Sequence, residues 1–415
     1  MTKTIFLGRF FFLFFSLCVI IFFTFARIYN IGLPVEKVFD EVYFPVMAHQ
    51  LLTVGSYYDT HPPMGKLIIA LSEMMFGNNT LGWRFTSLVA GIAFLAVIYV
   101  FTRELLKDKT TALITTLLFA VDGLFIVYSR VGLIDIFMLL FGFCAFLCVL
   151  KFSKSHAKYL LLLAGIFCGV TLSVKWIGVG FWFLAVVYTI FFYRSWLKSA
   201  KNFALFVLFL LIVPIIVYLV SFIPLYKMNI IHETIKWHIQ AWKYHSGLSE
   251  GHVYGSKWWG WPIMIRPIWF YYKDNGGIVR GIIALANPLI LWLSTASIVA
   301  SVGLIIASLN KKIKFSIKNS ELKSVWFLLS AWLIFYLPWI FITRVAFFYH
   351  YMMAYSFAVI LLGYFLAKIK NFSSLLFSFL IILIVFFGLI YLPLWTGYPV
   401  EYDYYRNLML FKSWI

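Results

Sequence analysis

Residues 203–223 read FALFVLFLLIVPIIVYLVSFI, a stretch without a single charge. A helix rises about 1.5 Å per residue, so this stretch is long enough to cross the roughly 30 Å hydrocarbon core of a bilayer. Similar text recurs along the chain at 10–27, 79–101, 111–129, 132–150, 159–175, 178–193, 284–309, 323–342, 348–367 and 373–393. Together these runs predict an all-α polytopic membrane protein, a bundle of about eleven transmembrane helices. Composition excludes an ordinary soluble domain: the 415 residues are 63% hydrophobic and 12% charged, against roughly half and a quarter in soluble chains.

Around these runs the remaining text is short. Asp122, Arg130 and Asp135 interrupt residues 111–150, where the helices are expected to be broken. Leu67 to Phe76 is amphipathic and is expected to lie along the membrane. Residues 5–26 are longer than a signal-peptide core and end in Phe25, Ala26 and Arg27, so they are expected to remain as a first span. Cys18, Cys144, Cys148 and Cys168 all lie inside apolar runs, as packing residues do, with neither disulfide nor zinc spacing. No repeat or linker divides the chain, and residues 1–415 are expected to form one domain.

A net charge of +19 would suit nucleic acid only if it formed a soluble basic face. It does not. The basic residues sit in patches between spans: Lys3/Arg9, Arg103/Lys107/Lys109, Lys151/Lys154/Lys158, Arg194/Lys198/Lys201, Lys311/Lys312/Lys314/Lys318/Lys323 and Lys368/Lys370. Only the acids Glu104, Asp108 and Glu321 accompany them. The bias predicts a cytoplasmic N-terminus and no nucleic-acid partner. Loop 28–66, loop 224–283 and the tail 394–415 then fall on the periplasmic or extracellular side of a plasma membrane.

All candidate chemistry shares that side. Asp40 and Glu41 follow the first span and are flanked by Phe39, Tyr43 and Phe44. An exposed acidic turn is the plain alternative, but carboxylates crowded by rings can raise one another's pKa, as a general base requires. In YYDTHPPMGK (57–66) the two prolines stiffen a turn carrying Asp59, His61 and Lys66. Arg84, Arg130, Lys175 and Arg344 lie near the same ends of spans. One such cation is commonly a snorkelling side chain; four beside an acidic pair suit an anion such as a phosphate. The aromatic loop 224–283 is either an interfacial belt or a surface for sugar or isoprenoid. His232, His238, His245 and His252 are spaced too widely for one helical face, and no metal site is expected. No dinucleotide or P-loop signature is present.

In order along the chain, FDEVYF (39–44), YYDTHPPMGK (57–66), GWRFTSLVAG (82–91), SRVGLIDI (129–136), LSVKWIG (172–178), SKWWGWPIMIRPIWFYY (256–272), NPLILW (287–292) and RVAFFYHYMMAYSF (344–357) resemble blocks of the polyprenyl-phosphate-mannose protein O-mannosyltransferases, bacterial branch. The resemblance implies the GT-C architecture, with the acidic pair on the first external loop, Asp40 as catalytic base and Glu41 as its neighbour. Arg84, Arg130, Arg344 and His350 match basic positions within the family's blocks. They are expected, with His61, Lys66 and Lys175, to meet the lipid phosphate. Tyr43, Asp59, Trp176, Trp261 and Arg266 are expected to contact sugar or acceptor. Fungal and animal members carry an extra domain where this chain has only loop 224–283, which argues for the prokaryotic form and leaves the acceptor open.

The expected reaction is inverting transfer of mannose from a polyprenyl phosphate to Ser or Thr hydroxyls of exported proteins, without a cofactor. Adjacent acids can hold Mg²⁺, but cations around the phosphate make a metal unnecessary. A transferase acting on lipid A or another lipid is the alternative within the class. A transporter or flippase is the alternative outside it, although carriers place their charges near the midplane of inverted repeats.

Overall fold

The computed structural model describes residues 2–226, 229–248, 251–309 and 318–415, with side chains from residue 10 onward. The basic residues Lys311, Lys312 and Lys314, and the side chains of Lys3 and Arg9, lie outside the described residues. Among the described residues eight helices are long and apolar enough to cross a membrane: α1 (Thr2–Ile28), α4 (Thr80–Leu106), α7 (Asp135–Ser155), α10 (Ala200–Ser221), α12 (Pro288–Leu309), α13 (Asn319–Tyr336, continued by a turn to Ile340), α14 (Met352–Phe372) and α15 (Ser374–Thr396). Shorter apolar helices are α5 (Lys109–Ala120), α8 (Lys158–Val174) and α9 (Val179–Phe192). The remaining helices are α2 (Phe44–Thr53), α3 (Met64–Phe76), α6 (Gly123–Tyr128), α11 (Ile230–Gly247) and α16 (Tyr402–Asn407).

Local chemistry sets the ends of these elements. The Asp108 carboxylate accepts N–H bonds from Thr110 and Thr111 and so starts α5. Further on, the Asp122 carboxylate takes the N–H of Leu124 and the backbone N–H of Asn287. The expected span 111–129 is therefore split into α5 and α6. In α10, Pro214 cannot donate to Leu210, and the Leu210 carbonyl instead takes the indole N–H of Trp182; a wide π turn, Val207–Ile212, precedes the proline.

An all-α expectation misses one feature. Ile268–Asp274 (β1) and Ile278–Ala284 (β2) form an antiparallel hairpin, joined by β3 (Val400–Glu401). The hairpin turns at Gly276 and Gly277, both in the left-handed region that glycine tolerates. Residue 284, the expected start of a span, is the end of β2.

The chain divides into two compact units. One comprises Met1–Asn30, Ile98–Val127 and His252–Ile415. Its core is α14, buried along most of its length. A Cβ on Gly363 would lie 2.1 Å from Thr115 Oγ1, so only glycine allows α14 and α5 to pack this closely. The other unit, Ile31–Val97 with Tyr128–Gly251, contains the acidic pair.

Candidate active site

Asp40 and Glu41 sit in one 3₁₀ turn, Phe39–Val42, and have opposite surroundings. Glu41 is fully buried. Its Oε1 accepts Arg84 Nε (2.7 Å) and the Gly132 N–H (2.7 Å); its Oε2 accepts Arg84 Nη2 (2.8 Å) and the Val38 N–H (2.9 Å). These bonds fill the acceptor capacity of a carboxylate. A Cβ at Gly132 would meet the Trp83 carbonyl at 2.6 Å, so the backbone reaches Glu41 only because residue 132 is glycine.

Arg84 is used up in the same way. Besides Glu41, it donates from Nη1 to the carbonyls of Ile31 (3.0 Å) and Pro34 (2.9 Å), and from Nη2 to that of Glu36 (3.3 Å). All five guanidinium N–H groups have protein acceptors. The structure therefore corrects the expectation that Arg84 offers its fork to a phosphate: its donors tie the loop after the first span to α4.

Asp40 has no such partners. Among the described residues no hydrogen bond reaches its carboxyl. It is only partly accessible to solvent, and burial pushes its pKa from 3.8 up to about 7. The positive charge of Lys175 opposes the rise, while Asp135 and Asp59 add to it. Such a group is ionised for part of its time near neutral pH and ready to take a proton.

The cations nearby are arranged in pairs. Lys175, at the end of α8, donates to both oxygens of Asp135 at 2.8 Å. Lys66 is fully buried and donates to Asp59 Oδ2 (2.6 Å) and to the carbonyls of His61 (2.7 Å) and Pro62 (2.6 Å). Its ammonium is thereby saturated, which corrects its expected role as a phosphate donor: it closes the His61-Pro62-Pro63 turn instead. Burial pulls its pKa down, against the attraction of Asp59. Arg130 is buried too; desolvation, then the charge of Arg84, lowers it to about 10, so it stays protonated at neutral pH.

Helix α11 covers the 59–61 turn. The Trp237 indole donates to the Asp59 carbonyl (2.6 Å), the His245 ring lies 3.3 Å from the Thr60 carbonyl, and the His61 and His245 rings stack at 5.7 Å. Trp176 stacks on His238 at 5.9 Å and donates to the Tyr218 hydroxyl. Tyr43 is 57% exposed on the surface.

Four expected residues belong to the other unit. Trp261 is buried and donates to Ser256 Oγ (2.9 Å). His350 packs between aromatic rings, 4.4 Å from Trp339 and 6.2 Å from Trp261. Arg344 is half-buried just before it. Arg266 donates to the carbonyls of Val253 (2.6 Å) and Ser413 (3.1 Å), with its guanidinium over Tyr254. Asp135 was missed as a site residue. An acid inside apolar text is rarely idle, yet from sequence alone Asp135 shows only as an interruption of residues 111–150.

Residues 17–83 and 60–218 match models of the dolichyl-phosphate-mannose-protein mannosyltransferases, and residues 230–414 match the C-terminal four-helix membrane region of protein O-mannosyltransferase. The chain belongs to this family. Among its relatives, the polyprenol-phosphate-mannose–protein mannosyltransferase of Mycolicibacterium smegmatis is 27% identical over 60% of this chain, and the chain spans 62% of that protein's length. The protein of the same name from Corynebacterium glutamicum is 24% identical over 85% of this chain and 81% of its own. The fold matches that of the Saccharomyces cerevisiae protein O-mannosyltransferase Pmt1–Pmt2 complex bound to the sugar donor, with a TM-score of 0.85, 17% identity, and 96% of this chain and 92% of that one covered. A family member with this fold has the GT-C architecture that the blocks imply.

Proposed function

We propose that the chain is an inverting glycosyltransferase that moves mannose from a polyprenyl phosphate to Ser or Thr hydroxyls of exported proteins. The observation that carries this reading is the Asp40 carboxyl, which no hydrogen bond reaches among the described residues, beside a fully engaged Glu41. The relatives named above, mannosyltransferases that use a polyprenol-phosphate-mannose donor, supply the substrate class.

In this reaction Asp40 accepts the hydroxyl proton as the acceptor oxygen attacks the anomeric carbon. The bond from that carbon to the phosphate oxygen breaks with its electron pair, and the polyprenyl phosphate leaves. Attack opposite the leaving group inverts the anomeric centre. The charge facing the leaving phosphate is assigned, from charge and position, to Arg130, Lys175 and His61. Fixed cations acting where charge develops contribute on the order of a few kcal/mol each. The base and these cations together supply the chemistry without a metal. A positive-inside orientation puts the N-terminus in the cytoplasm and the site on the periplasmic or extracellular side.

The test is transfer from a polyprenyl phosphate [¹⁴C]mannose to a Ser/Thr peptide by the chain in proteoliposomes. The expected product is an O-mannosyl peptide of inverted configuration, formed by the wild type with EDTA present and lost in Asp40→Asn. Label transferred to lipid but not to peptide would replace the protein acceptor by a lipid one. Donor moved across the bilayer without a covalent product would overturn the enzyme reading.

A further inference from the structure

Helix α11 has two non-polar faces, and the protein covers one of them. On the covered face, Trp237 and Ala241 are buried against Tyr218 and Phe222, at the end of span α10. The Trp237 and Phe222 rings lie 5.1 Å apart, and His238 Nε2 is 2.8 Å from the Tyr218 hydroxyl. The middle of α11 is therefore fixed at the end of a membrane span, where hydrocarbon gives way to headgroups.

Beside that face runs a second stripe. Ile231, Ile235, Ile239 and Trp242 recur at intervals of four, four and three residues, which places them on one side of a helix. They are 68%, 56%, 52% and 68% exposed. On the flank away from the buried face stand Lys236, with 59% of its side chain exposed, and the exposed Lys243. The adjoining span α10, long and apolar enough to cross a membrane, also leaves Ile212, Ile215 and Ile216 exposed.

We infer that α11 is a membrane-surface helix, with its isoleucines and Trp242 in the boundary between acyl chains and headgroups and with Lys236 and Lys243 on anionic phospholipid. Tryptophan prefers that depth, and each lysine near an anionic surface adds attraction that salt weakens. The same helix holds the 59–61 turn through Trp237 and His245, so the bilayer fixes the turn that carries Asp59.

The experiment uses the full chain with its four cysteines replaced, reconstituted in vesicles of phosphatidylethanolamine and phosphatidylglycerol. Single nitroxides are placed by Ile231→Cys, Ile235→Cys, Ile239→Cys and Trp242→Cys, with Gln240→Cys as the control on an exposed polar position. Collisions with oxygen and with a water-soluble nickel complex are compared by EPR. The expected result is an oxygen-to-nickel ratio several-fold higher at the stripe than at residue 240. Replacing Lys236 and Lys243 by Gln should narrow that contrast in phosphatidylglycerol vesicles and leave it unchanged in phosphatidylcholine vesicles. Equal nickel accessibility at the stripe and at residue 240 would overturn the inference. So would spin–spin broadening between labels of separate copies, which would make the stripe a protein contact.

Discussion

Asp122 and Asp40 are both carboxylates drawn into an apolar protein, one in each unit, and the protein treats them differently. Asp122 is fully buried and accepts from the Leu124 and Asn287 backbones at 3.0 Å and from the Tyr355 hydroxyl at 2.8 Å. It joins the break between α5 and α6 to the segment before α12 and to α14. Among the described residues Asp40 has nothing comparable, although Glu41, the next residue, is satisfied as completely as Asp122. A buried acid whose acceptors are filled serves architecture. One left unfilled within reach of solvent is costly to keep and is available for chemistry.

The contrast can be broken most severely at Asp40. Asp40→Asn keeps the shape of the turn and removes only the proton acceptor, so transfer to peptide should fall by about 10² to 10⁴, while size-exclusion behaviour stays that of the wild type. Glu41→Gln should do the reverse: the protein is lost before the chemistry is. Leaving Arg84 buried without its counter-charge costs roughly 3–5 kcal/mol, read as a lower Tm in detergent and a poor yield of folded protein. Gly132→Ala should have the same character with a smaller cost, about 1–3 kcal/mol, because the added methyl runs into the Trp83 carbonyl. If Glu41→Gln instead left stability intact and abolished only transfer, the division of labour within the pair would be wrong.

The smallest expected effect is on stability against pH. The folded pKa of Asp40 stands above its ordinary value, so the unfolded chain ionises first as pH rises. Stability is lost progressively from about pH 4 until the folded group ionises near 7. Asp40→Asn removes that penalty. Its Tm should exceed the wild-type value by more at pH 8 than at pH 5, with the difference levelling off above about 7. A wild-type advantage at pH 8 would mean that the Asp40 carboxylate is stabilised by the fold.

The helices were legible because a membrane imposes length and composition on each span, and both can be read directly. The acidic pair was legible because charge in so apolar a chain stands out. What Arg84 and Lys66 do was not legible. A cation at the end of a span looks the same whether its acceptors are carbonyls of its own loop or a bound phosphate, and only tertiary structure supplies the Ile31, Pro34 and Pro62 carbonyls. Asp135 escaped for the same reason, since its partner Lys175 is 40 residues away in sequence. The hairpin at 268–284 escaped because its aromatic and β-branched residues fit an interfacial loop as well as a strand.

The most direct measurement is kcat/KM for peptide mannosylation from pH 5 to pH 9 in proteoliposomes, for the wild type and for Asp40→Asn. The wild-type rate is expected to rise about tenfold per unit to a plateau above about 7, over a low residual rate in the variant that lacks this step. A wild-type rate that does not change across pH 7, or a variant that keeps the same ascending limb, would contradict it.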